Sequence, residues 1–252
     1  MRLTTMDHLH QLSFMPRFFP VNAYFVAEQD GLTLIDAALP YSAKGIIDAA
    51  ARIGMPIRRI LLTHAHGDHI GALDRLKSAL PDAEVLISAR DARLLAGDKT
   101  LDPGEQQTPI RGGVPKPGAI VTRPDTLLVD GDRVGSLLAI ATPGHTPGSI
   151  SFLDARTGAL IVGDAFQVRG GMAVSGKMQP LFPFPAMATW SPAEALRSAR
   201  RLIGLKPKLL AVGHGRMVAD PLEAMAAAAR AAERSLEAQG KGGASHVTAN
   251  RP

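Results

Sequence analysis

Three histidines and an aspartate lie within one six-residue stretch, as His64, His66, Asp68 and His69. Side chains at alternate positions of an extended segment point the same way, so His64 and His66 can bind one ion from one side. If the chain then turns, Asp68 and His69 can face a second ion. A lone histidine is most often an ordinary loop residue, but this density of imidazole and carboxylate groups predicts a metal site.

Three further candidate ligands follow apolar stretches and have small neighbours that allow a close approach to an ion: His145, Asp164 and His214. Taken one at a time, such residues are typical of turns. Taken together, they supply the ligands that two ions would still need. The chain has no cysteine, so its ligands must be nitrogen or oxygen. Zn²⁺ suits this donor set best, with two ions per chain, and Fe²⁺ or Mn²⁺ would accept the same donors.

The elements that must position these residues alternate between strand and helix. Apolar and alternating runs predict strands at 22–26, 32–35, 59–62, 84–87, 134–140, 149–153, 159–162 and 209–212. Helical spacing and end signals predict helices at 42–53, 69–80, 89–95, 192–203 and from 221 onward. The candidate ligands therefore begin where strands end. Two halves of this kind predict an α/β fold, arranged as a four-layer αββα sandwich with the ligands at one edge.

Length and composition bound the rest of the organisation. With 252 residues, 46% hydrophobic and 20% charged, the chain can bury one full core, and we expect a single domain over residues 1–239. Residues 240–252 are small and polar and are expected to form a disordered tail. Two irregular stretches, 97–124 and 170–190, are long enough to form a lid over the site or a dimer contact.

Composition also limits the partners. No apolar run reaches the length needed to cross a bilayer, and the first residues lack the order of a secretory signal, so we expect a cytoplasmic protein that does not bind a membrane. The net charge of +5 is carried by scattered residues. The nearest approaches to basic clusters are Arg58, Arg59, Arg197, Arg200 and Arg201. We expect these on solvated faces, with no nucleic acid bound, a small-molecule substrate as the partner, and a homodimer left open.

The ligand set and its order resemble the metallo-β-lactamase superfamily, whose signature is a histidine-aspartate cluster followed by one His, one bridging Asp and a last His. The resemblance spans residues 22–215, nearly the whole predicted domain. It implies a first ion held by His64, His66 and His145, a second held by Asp68, His69 and His214, and Asp164 as the bridge between them. It also implies that Asp36, at the end of a predicted strand, holds a ligand histidine in one tautomer.

The resemblance further implies a hydrolase in which two zinc ions share a hydroxide, because metal binding lowers the pKa of water towards neutrality. Asp68 would be the catalytic residue that orients this hydroxide and moves its proton. The substrate would be a carbonyl ester, lactone or thioester, as in glyoxalase II and the quorum-quenching lactonases, which share all these ligands. The alternatives are a persulfide-dioxygenase-type oxidoreductase with one iron, and a β-lactamase-type amide hydrolase, against which Asp164 argues.

Many of those lactonases carry a tyrosine three residues after the bridging aspartate, where this chain has Gln167. Lactonase activity therefore remains one option among the carbonyl substrates. Apolar residues of the second irregular stretch would line the substrate pocket if they face the ions. Together with Gln167, the candidates for this pocket are Met172, Phe182, Phe184 and Trp190. Otherwise, these apolar residues would pack the loop on the core or form a dimer contact.

Overall fold

The first half of the chain forms a seven-stranded mixed sheet in the computed structural model, which describes residues 1–245. Its strands lie side by side in chain order: β1 (Arg2–Met6), β2 (Leu9–Phe14), β3 (Val21–Glu28), β4 (Gly31–Ile35), β5 (Ile57–Leu61), β6 (Glu84–Ser88) and β7 (Thr126–Leu128). The pairs from β1 to β4 are antiparallel, and the pairs from β4 to β7 are parallel. The carboxyl ends of β4 and β5 therefore meet at one edge of the sheet.

The second half supplies another sheet and a short ribbon. Their strands are β8 (Arg133–Val134), β9 (Leu137–Ala141), β10 (Ile150–Asp154), β11 (Ala159–Ile161), β12 (Phe166–Gln167), β13 (Ala173–Val174), β14 (Leu209–Ala211) and β15 (Val218–Ala219). β12 and β13 form the ribbon, and the other six form a sheet in the order β15-β14-β11-β10-β9-β8. β9 and β11 both pair antiparallel with β10, and β14 pairs parallel with β11. The carboxyl ends of β9, β11 and β14 thus share one edge.

Helices cover the outer faces of both sheets. They are α1 (Ala43–Ile53), α2 (Gly67–Ile70), α3 (Leu73–Ala79), α4 (Ala89–Leu95), α5 (Phe184–Ala188), α6 (Pro192–Gly204) and α7 (Leu222–Ser245). A first apolar core packs α1, α3 and α4 on the first sheet, a second core lies between the sheets, and a third packs α6 and α7 on the second sheet. The predicted four-layer αββα sandwich is therefore confirmed.

Alternating side chains explain how one strand contributes to two cores. In β5, Ile60 belongs to the first core and Leu61 to the second. In β11, Leu160 belongs to the third core and Ile161 to the second. Successive residues of a strand point to opposite faces of the sheet, so the part of a strand that is covered on both faces is apolar at consecutive positions.

The predicted single helix over 69–80 is wrong, because it is divided into α2 and α3. The main chain between these helices contacts the loop that follows β4. The N–H of Ala37 donates to the carbonyl oxygen of His69 at 2.6 Å, and the N–H of Gly71 donates to that of Ala38 at 2.8 Å. A Cβ on Gly71 would lie 2.7 Å from the Ala38 oxygen, so only glycine allows this approach without a shift.

The strands also differ from the prediction: one predicted strand is divided, and the sequence patterns did not predict β1, β2, β7, β12, β13 or β15. The predicted strand over 134–140 is divided into β8 and β9 by a turn in which Gly135 has a φ of 58°. β1 carries no recognisable pattern because all of its residues are exposed, and the sequence analysis missed it. The stretch 97–124 forms neither helix nor strand, as predicted, whereas 170–190 contains β13 and α5.

The end of the chain is described only in part. α7 continues to Ser245 and so enters the segment 240–252 that the sequence predicts to be a disordered tail. Residues 246–252 lie outside the described residues, and for them the prediction stays a prediction. Among the helices of residues 1–245, none combines the length and the apolar character needed to span a bilayer.

Candidate metal centre

The seven candidate ligands meet at the edge where both sheets present the carboxyl ends of strands. His64 follows β5, His145 follows β9, Asp164 follows β11, and His214 follows β14. Six of the seven residues are at most 5% exposed, whereas the side chain of Asp68 is 28% exposed. The centre is therefore buried, and its open side lies at Asp68.

One group of donor atoms comes from His64, His66 and His145. A ring nitrogen from each lies within 4.8 Å of the others, and His66 Nδ1 is 3.0 Å from His145 Nε2. These are the three residues that the resemblance assigns to the first ion, and the structure brings them together from segments about 80 residues apart in the chain.

A second group of donor atoms comes from Asp68, His69 and His214, again within 4.8 Å of one another. The Oδ2 atom of Asp68 is 3.5 Å from His214 Nε2 and 3.9 Å from His69 Nε2. This group corresponds to the ligands that the resemblance assigns to the second ion.

Asp164 lies between the two groups and faces both. Its Oδ2 is 3.4 Å from His145 Nε2 and 3.2 Å from His214 Nε2, and its Oδ1 is 3.4 Å from His69 Nε2. In a tetrahedral site with metal–ligand bonds of about 2.0–2.1 Å, neighbouring donor atoms are about 3.3 Å apart. The spacing around Asp164 therefore matches that of ligands around shared cations.

Hydrogen bonds on the outer side of each ring determine which nitrogen faces the centre. His69 Nδ1 lies 2.8 Å from Asp36 Oδ2, and His214 Nδ1 lies 2.7 Å from the carbonyl oxygen of Pro20. A carbonyl or carboxylate oxygen only accepts, so Nδ1 carries the proton in both rings. The Nε2 atoms of His69 and His214 therefore face the centre, beside Asp164.

His64 obtains the same orientation through a hydroxyl group. Thr63 Oγ1 donates to Asp36 Oδ2 at 2.8 Å, which uses its only proton. The hydroxyl oxygen can therefore only accept from His64 Nδ1, at 3.0 Å. His64 Nε2 is left with a lone pair that faces the centre.

His145 is oriented by a chain of hydroxyl groups. Its Nδ1 lies 2.9 Å from Ser175 Oγ, which lies 2.8 Å from Thr189 Oγ1, which in turn donates to the carbonyl oxygen of Pro185 at 2.7 Å. Because the last group only accepts, every proton in the chain points away from the ring. His145 Nε2 is therefore the unprotonated atom.

His66 is turned the other way round. Its Nε2 donates to the carbonyl oxygen of Arg111 at 3.0 Å, so its Nδ1 carries the lone pair. This Nδ1 and the Nε2 of His145 are the two atoms only 3.0 Å apart. Two lone pairs repel at this distance unless a cation lies beside them.

Several atoms of the centre make no hydrogen bond within residues 1–245. His64 Nε2, His69 Nε2 and Asp164 Oδ1 are buried without a hydrogen bond. A buried polar atom left unpaired costs about 1–3 kcal/mol, so three in one cluster indicate that a further group binds there. Neutral imidazole nitrogens and carboxylate oxygens are ligands for divalent cations. The residues present therefore fit the two metal ions that the resemblance implies.

Burial and charge set the protonation of the ligands. Burial lowers the pKa of His145 to about 3, and burial together with the neighbouring His69 holds the pKa of His64 well below its usual range. For Asp164, burial acts to raise the pKa, but the charges of His214 and His69 outweigh it and hold the pKa well below the ordinary value. Burial acts to lower the pKa values of His69 and His214, but the Asp164 carboxylate outweighs it and raises both. At neutral pH, His64 and His145 are thus neutral and Asp164 is ionised, which are the forms that bind cations.

Asp36 lies where the resemblance places it. It is 2% exposed, its Oδ1 accepts from the N–H of Thr63 at 2.8 Å, and its Oδ2 holds the ring of His69. Its φ of 61° is in the left-handed region, which costs a non-glycine residue about 1–3 kcal/mol and occurs preferentially at functional sites. The strained backbone directs this carboxylate towards Thr63, in the loop that follows β5.

Asp91, which the sequence analysis did not single out, joins the two loops that carry the first group of ligands. Its Oδ2 accepts from the N–H of Ala65 at 3.0 Å and from Thr146 Oγ1 at 2.8 Å, and its Oδ1 accepts from the N–H of Gly148 at 2.9 Å. Burial raises the pKa of Asp91 to about 6, although these hydrogen bonds act in the opposite direction. Asp91 is thus a buried acceptor shared by the neighbours of His64, His66 and His145.

The signals for the missed residues are weak or misleading. Ser88 caps α4 and accepts from the N–H of Asp91, so this Ser-x-x-Asp spacing has the form of an ordinary helix start. Ser175 and Thr189 lie in the irregular stretch 170–190, where nothing in the sequence relates them to His145. Phe19 precedes the predicted strands, yet its ring centroid is 5.3 Å from that of His214.

Three of the predicted pocket residues lie beside the centre. The ring centroid of Phe182 is 5.4 Å from that of His214, and Phe184 packs on Phe182 at 5.3 Å. Phe184 is 52% exposed, whereas Phe182 is buried. Gln167 is also buried, and its amide donates to the carbonyl oxygen of Phe182 at 3.1 Å. Gln167 therefore holds the main chain at Phe182 and does not itself line the pocket.

The other two predicted pocket residues lie elsewhere. Trp190 is 5% exposed in the first core, and its indole N–H donates to the carbonyl oxygen of Thr108 at 3.1 Å. Met172 packs against the third core. Both side chains contribute to packing, which is the alternative that the sequence left open for them.

Gly213 is expected to be intolerant of any side chain because it lies against two ligands. A Cβ at this position would overlap Asp164 Oδ1 and lie 2.7 Å from His69 Cε1. We expect Gly213→Ala to lose bound metal and to unfold more easily by about 1–3 kcal/mol, the usual effect of overpacking. Metal analysis and thermal unfolding measure the two effects. Gly204→Ala is the control, since no atom lies within 4 Å of that Cβ; equal behaviour of the two variants would contradict the prediction.

Comparison with known proteins yields relatives over most of the chain. Protein YobT of Bacillus subtilis (strain 168) is 56% identical over 234 residues, which cover 93% of this chain and 100% of that protein. The probable metallo-hydrolase YflN of the same strain is 33% identical, covering 77% of this chain and 80% of its own length. A hydroxyacylglutathione hydrolase of Gloeobacter violaceus is 28% identical over 59% of this chain and 50% of that enzyme.

Solved structures and a family model agree with these relatives. The di-iron-bound form of TTHA1623 matches with a TM-score of 0.61 and 27% identity, covering 85% of this chain and 96% of that one. A metallo-β-lactamase from Cronobacter sakazakii, a mutant in its HARLDQ motif, matches with a TM-score of 0.67 and 23% identity. The match covers 95% of this chain and 98% of that one, and it shows that the two share a fold. The sequence model of the metallo-β-lactamase superfamily matches residues 16–214. The chain belongs to the metallo-β-lactamase superfamily.

Proposed function

We propose that this protein is a dinuclear metal-dependent hydrolase of carbonyl esters and thioesters, with zinc as its metal. The observation that carries the proposal is the convergence of five imidazole rings around one buried carboxylate, Asp164, which faces both groups of candidate ligands. A site for a single ion would leave part of this set unpaired. The same observation disfavours the alternative with one iron.

The residues of the centre divide the chemical tasks. Bound divalent cations lower the pKa of water and polarise a carbonyl oxygen. Asp68 is the half-exposed carboxylate at the open side, so it is placed to orient an attacking water and to accept its proton. The side chains of His64 and His145, which are neutral at neutral pH, need no deprotonation before they bind a cation.

The surroundings favour an acyl compound with an apolar part as the substrate. Phe19, Phe182 and Phe184 pack on one another at centroid distances of 5.0–5.3 Å, and Phe19 and Phe182 lie next to His214. Such a wall suits the acyl group of an ester or thioester. Similarity to hydroxyacylglutathione hydrolases supports a thioester. Gln167 supplies no phenol of the kind that many lactonases have, and it is already engaged with Phe182, so a lactone ranks below the other two.

Metal analysis tests the proposal directly. We expect about two zinc ions per chain in purified protein, since two groups of ligands share one carboxylate. Two iron ions per chain would change the identity of the metal but would still agree with a dinuclear hydrolase. This outcome is included because the similar protein TTHA1623 has a di-iron-bound form. A single iron with oxygen-dependent turnover would overturn the proposal.

Removal of the metal is expected to destabilise the fold. A ligand present at about 1,000 times its dissociation constant adds about 4 kcal/mol to the free energy of unfolding. For a chain of this length, we therefore expect a chelator to lower the unfolding midpoint by about 10 °C. Thermal unfolding with and without chelator, followed by zinc addition, measures this shift. An unchanged midpoint would show that the buried unpaired atoms do not bind a metal.

A substrate panel then distinguishes the bonds. Aryl esters, glutathione thioesters, lactones and β-lactams are to be compared by kcat/KM on metal-loaded protein. A preference of about tenfold corresponds to about 1.4 kcal/mol in barrier and decides the class. We expect esters or thioesters to lead, and a preference for β-lactams would contradict this. A cytoplasmic location and a homodimer stay predictions.

A further inference from the structure

Three arginines from distant parts of the chain line one cleft beside the metal centre. Arg2 lies on β1, Arg169 follows β12, and Arg216 lies between β14 and β15. The cleft has a volume of about 340 Å³ and is bordered by Pro20 and Gly215. We call it the arginine cleft.

The arginine cleft holds positive charge without a negative counterpart. No aspartate or glutamate is among the residues that line it. Within residues 1–245, none of its three guanidinium groups forms an ion pair, and Arg169 donates instead to the carbonyl oxygen of Arg17 at 2.7 Å. Elsewhere on the surface, Arg93 and Arg201 do pair with carboxylates. Positive side chains that line one cleft without a carboxylate partner favour the binding of an anion.

We propose that the arginine cleft is a binding site for a phosphate monoester. The guanidinium group is a planar fork of donors that matches phosphate oxygens in pairs. A phosphate monoester carries a charge of about −1.5 to −2 at neutral pH, because its second pKa is about 6. It is therefore a small ligand that can balance most of this charge and still fit the cleft. The proposal does not rest on the hydrolase activity.

The position of the cleft connects it to the metal centre. The carbonyl oxygen of Pro20, in the wall of the cleft, accepts from His214 Nδ1. On the same side, the N–H groups of Val168 and Arg169 donate to the carbonyl oxygen of His214 at 3.0 and 3.1 Å. His214 Nε2 points the opposite way, towards Asp164. An anion in the cleft thus lies behind His214, apart from the ions, against segments that hold this ligand.

The test is calorimetric titration of the metal-loaded protein with glycerol 2-phosphate, and with succinate as a dicarboxylate of similar size.

The double variant Arg169→Gln/Arg216→Gln removes two of the three charges, and the backbone contacts to His214 remain. Arg75→Gln/Arg230→Gln is the matched control, since both arginines are exposed and lie outside the cleft. Each charge-assisted contact is worth about tenfold in affinity, so we expect about 100-fold weaker phosphate binding in the cleft variant. The control should bind within about twofold of the original protein, and added salt should weaken binding.

Three results would overturn the proposal. An unchanged affinity in the cleft variant would place the phosphate on the metal ions instead. Succinate that binds as tightly as the phosphate ester would show that the cleft has no selectivity for phosphate. Failure of the original protein to bind the ester at millimolar concentration would remove the site altogether. Equal metal content and unfolding midpoints in the two double variants are required, so that a loss of binding is not a loss of folding.

Discussion

Replacing Asp164 with asparagine is expected to lower turnover by about a thousandfold, or about 4 kcal/mol in barrier. Bound metal should fall from about two ions per chain to about one, since a single carboxylate serves both groups of ligands. The amide keeps the shape of the side chain but has one acceptor oxygen, and its NH₂ group would face either His69 or the pair His145 and His214. One group of ligands must therefore lose its contact with residue 164.

Metal content and kcat measured on the same Asp164→Asn preparation check this expectation. Asp82→Asn is the control, because Asp82 is exposed and makes the same change of charge far from any ligand. Far-ultraviolet circular dichroism should be the same for both variants. Full turnover with two ions in Asp164→Asn would show that Asp164 does not bridge the groups.

Replacing Asp91 with asparagine is expected to weaken metal binding by about 10- to 100-fold, the usual effect of losing a group that holds a ligand in place. Within residues 1–245, the Asp91 carboxylate has three hydrogen-bond partners, and all three donate to it: Ala65, Thr146 and Gly148. An asparagine can accept through one oxygen only, so its NH₂ group must face a donor of one of the two loops. The loop of residues 64–66 and the loop of residues 145–148 can then no longer be held together as they are.

Asp91 acts through other residues, so its test must separate positioning from general stability. Metal titration by competition with a chelator gives the affinity, and kcat at saturating metal should recover to within about tenfold of the original enzyme. Asp82→Asn again provides the control for charge. A variant that binds metal normally but unfolds more easily would show that Asp91 serves the fold alone.

The strand ends and the ligands were predictable because their signals are local. β5 is apolar at 60 and 61, and His64 follows within three residues, so one short window contains both the strand and its ligand. The division of residues 69–80 into α2 and α3 was not predictable in this way. It depends on Gly71 meeting Ala38, which lies 33 positions earlier and approaches only when β4 and β5 pair.

The pocket residues also show what local sequence cannot predict. Phe182 and Trp190 are both large, apolar and set in an irregular stretch, so the sequence treats them alike. In the fold, Phe182 lies against His214, whereas Trp190 enters the first core. Apolar character predicts that a side chain will be buried, but the neighbours that bury it are set by packing between distant segments.

The candidate ligands and their donor types follow from the sequence, because nitrogen and oxygen donors in this order resemble those of a metal-binding family. For four of the five rings, all except that of His64, tertiary structure alone decided which nitrogen faces inward, since the outer partner comes from elsewhere in the chain. For His214 that partner is the carbonyl oxygen of Pro20, 194 positions away. Hydrogen bonds between residues so far apart in the sequence can form only after both sheets have folded. The same is true of the hydrogen bonds by which Asp91 joins two loops, and of the arginine cleft.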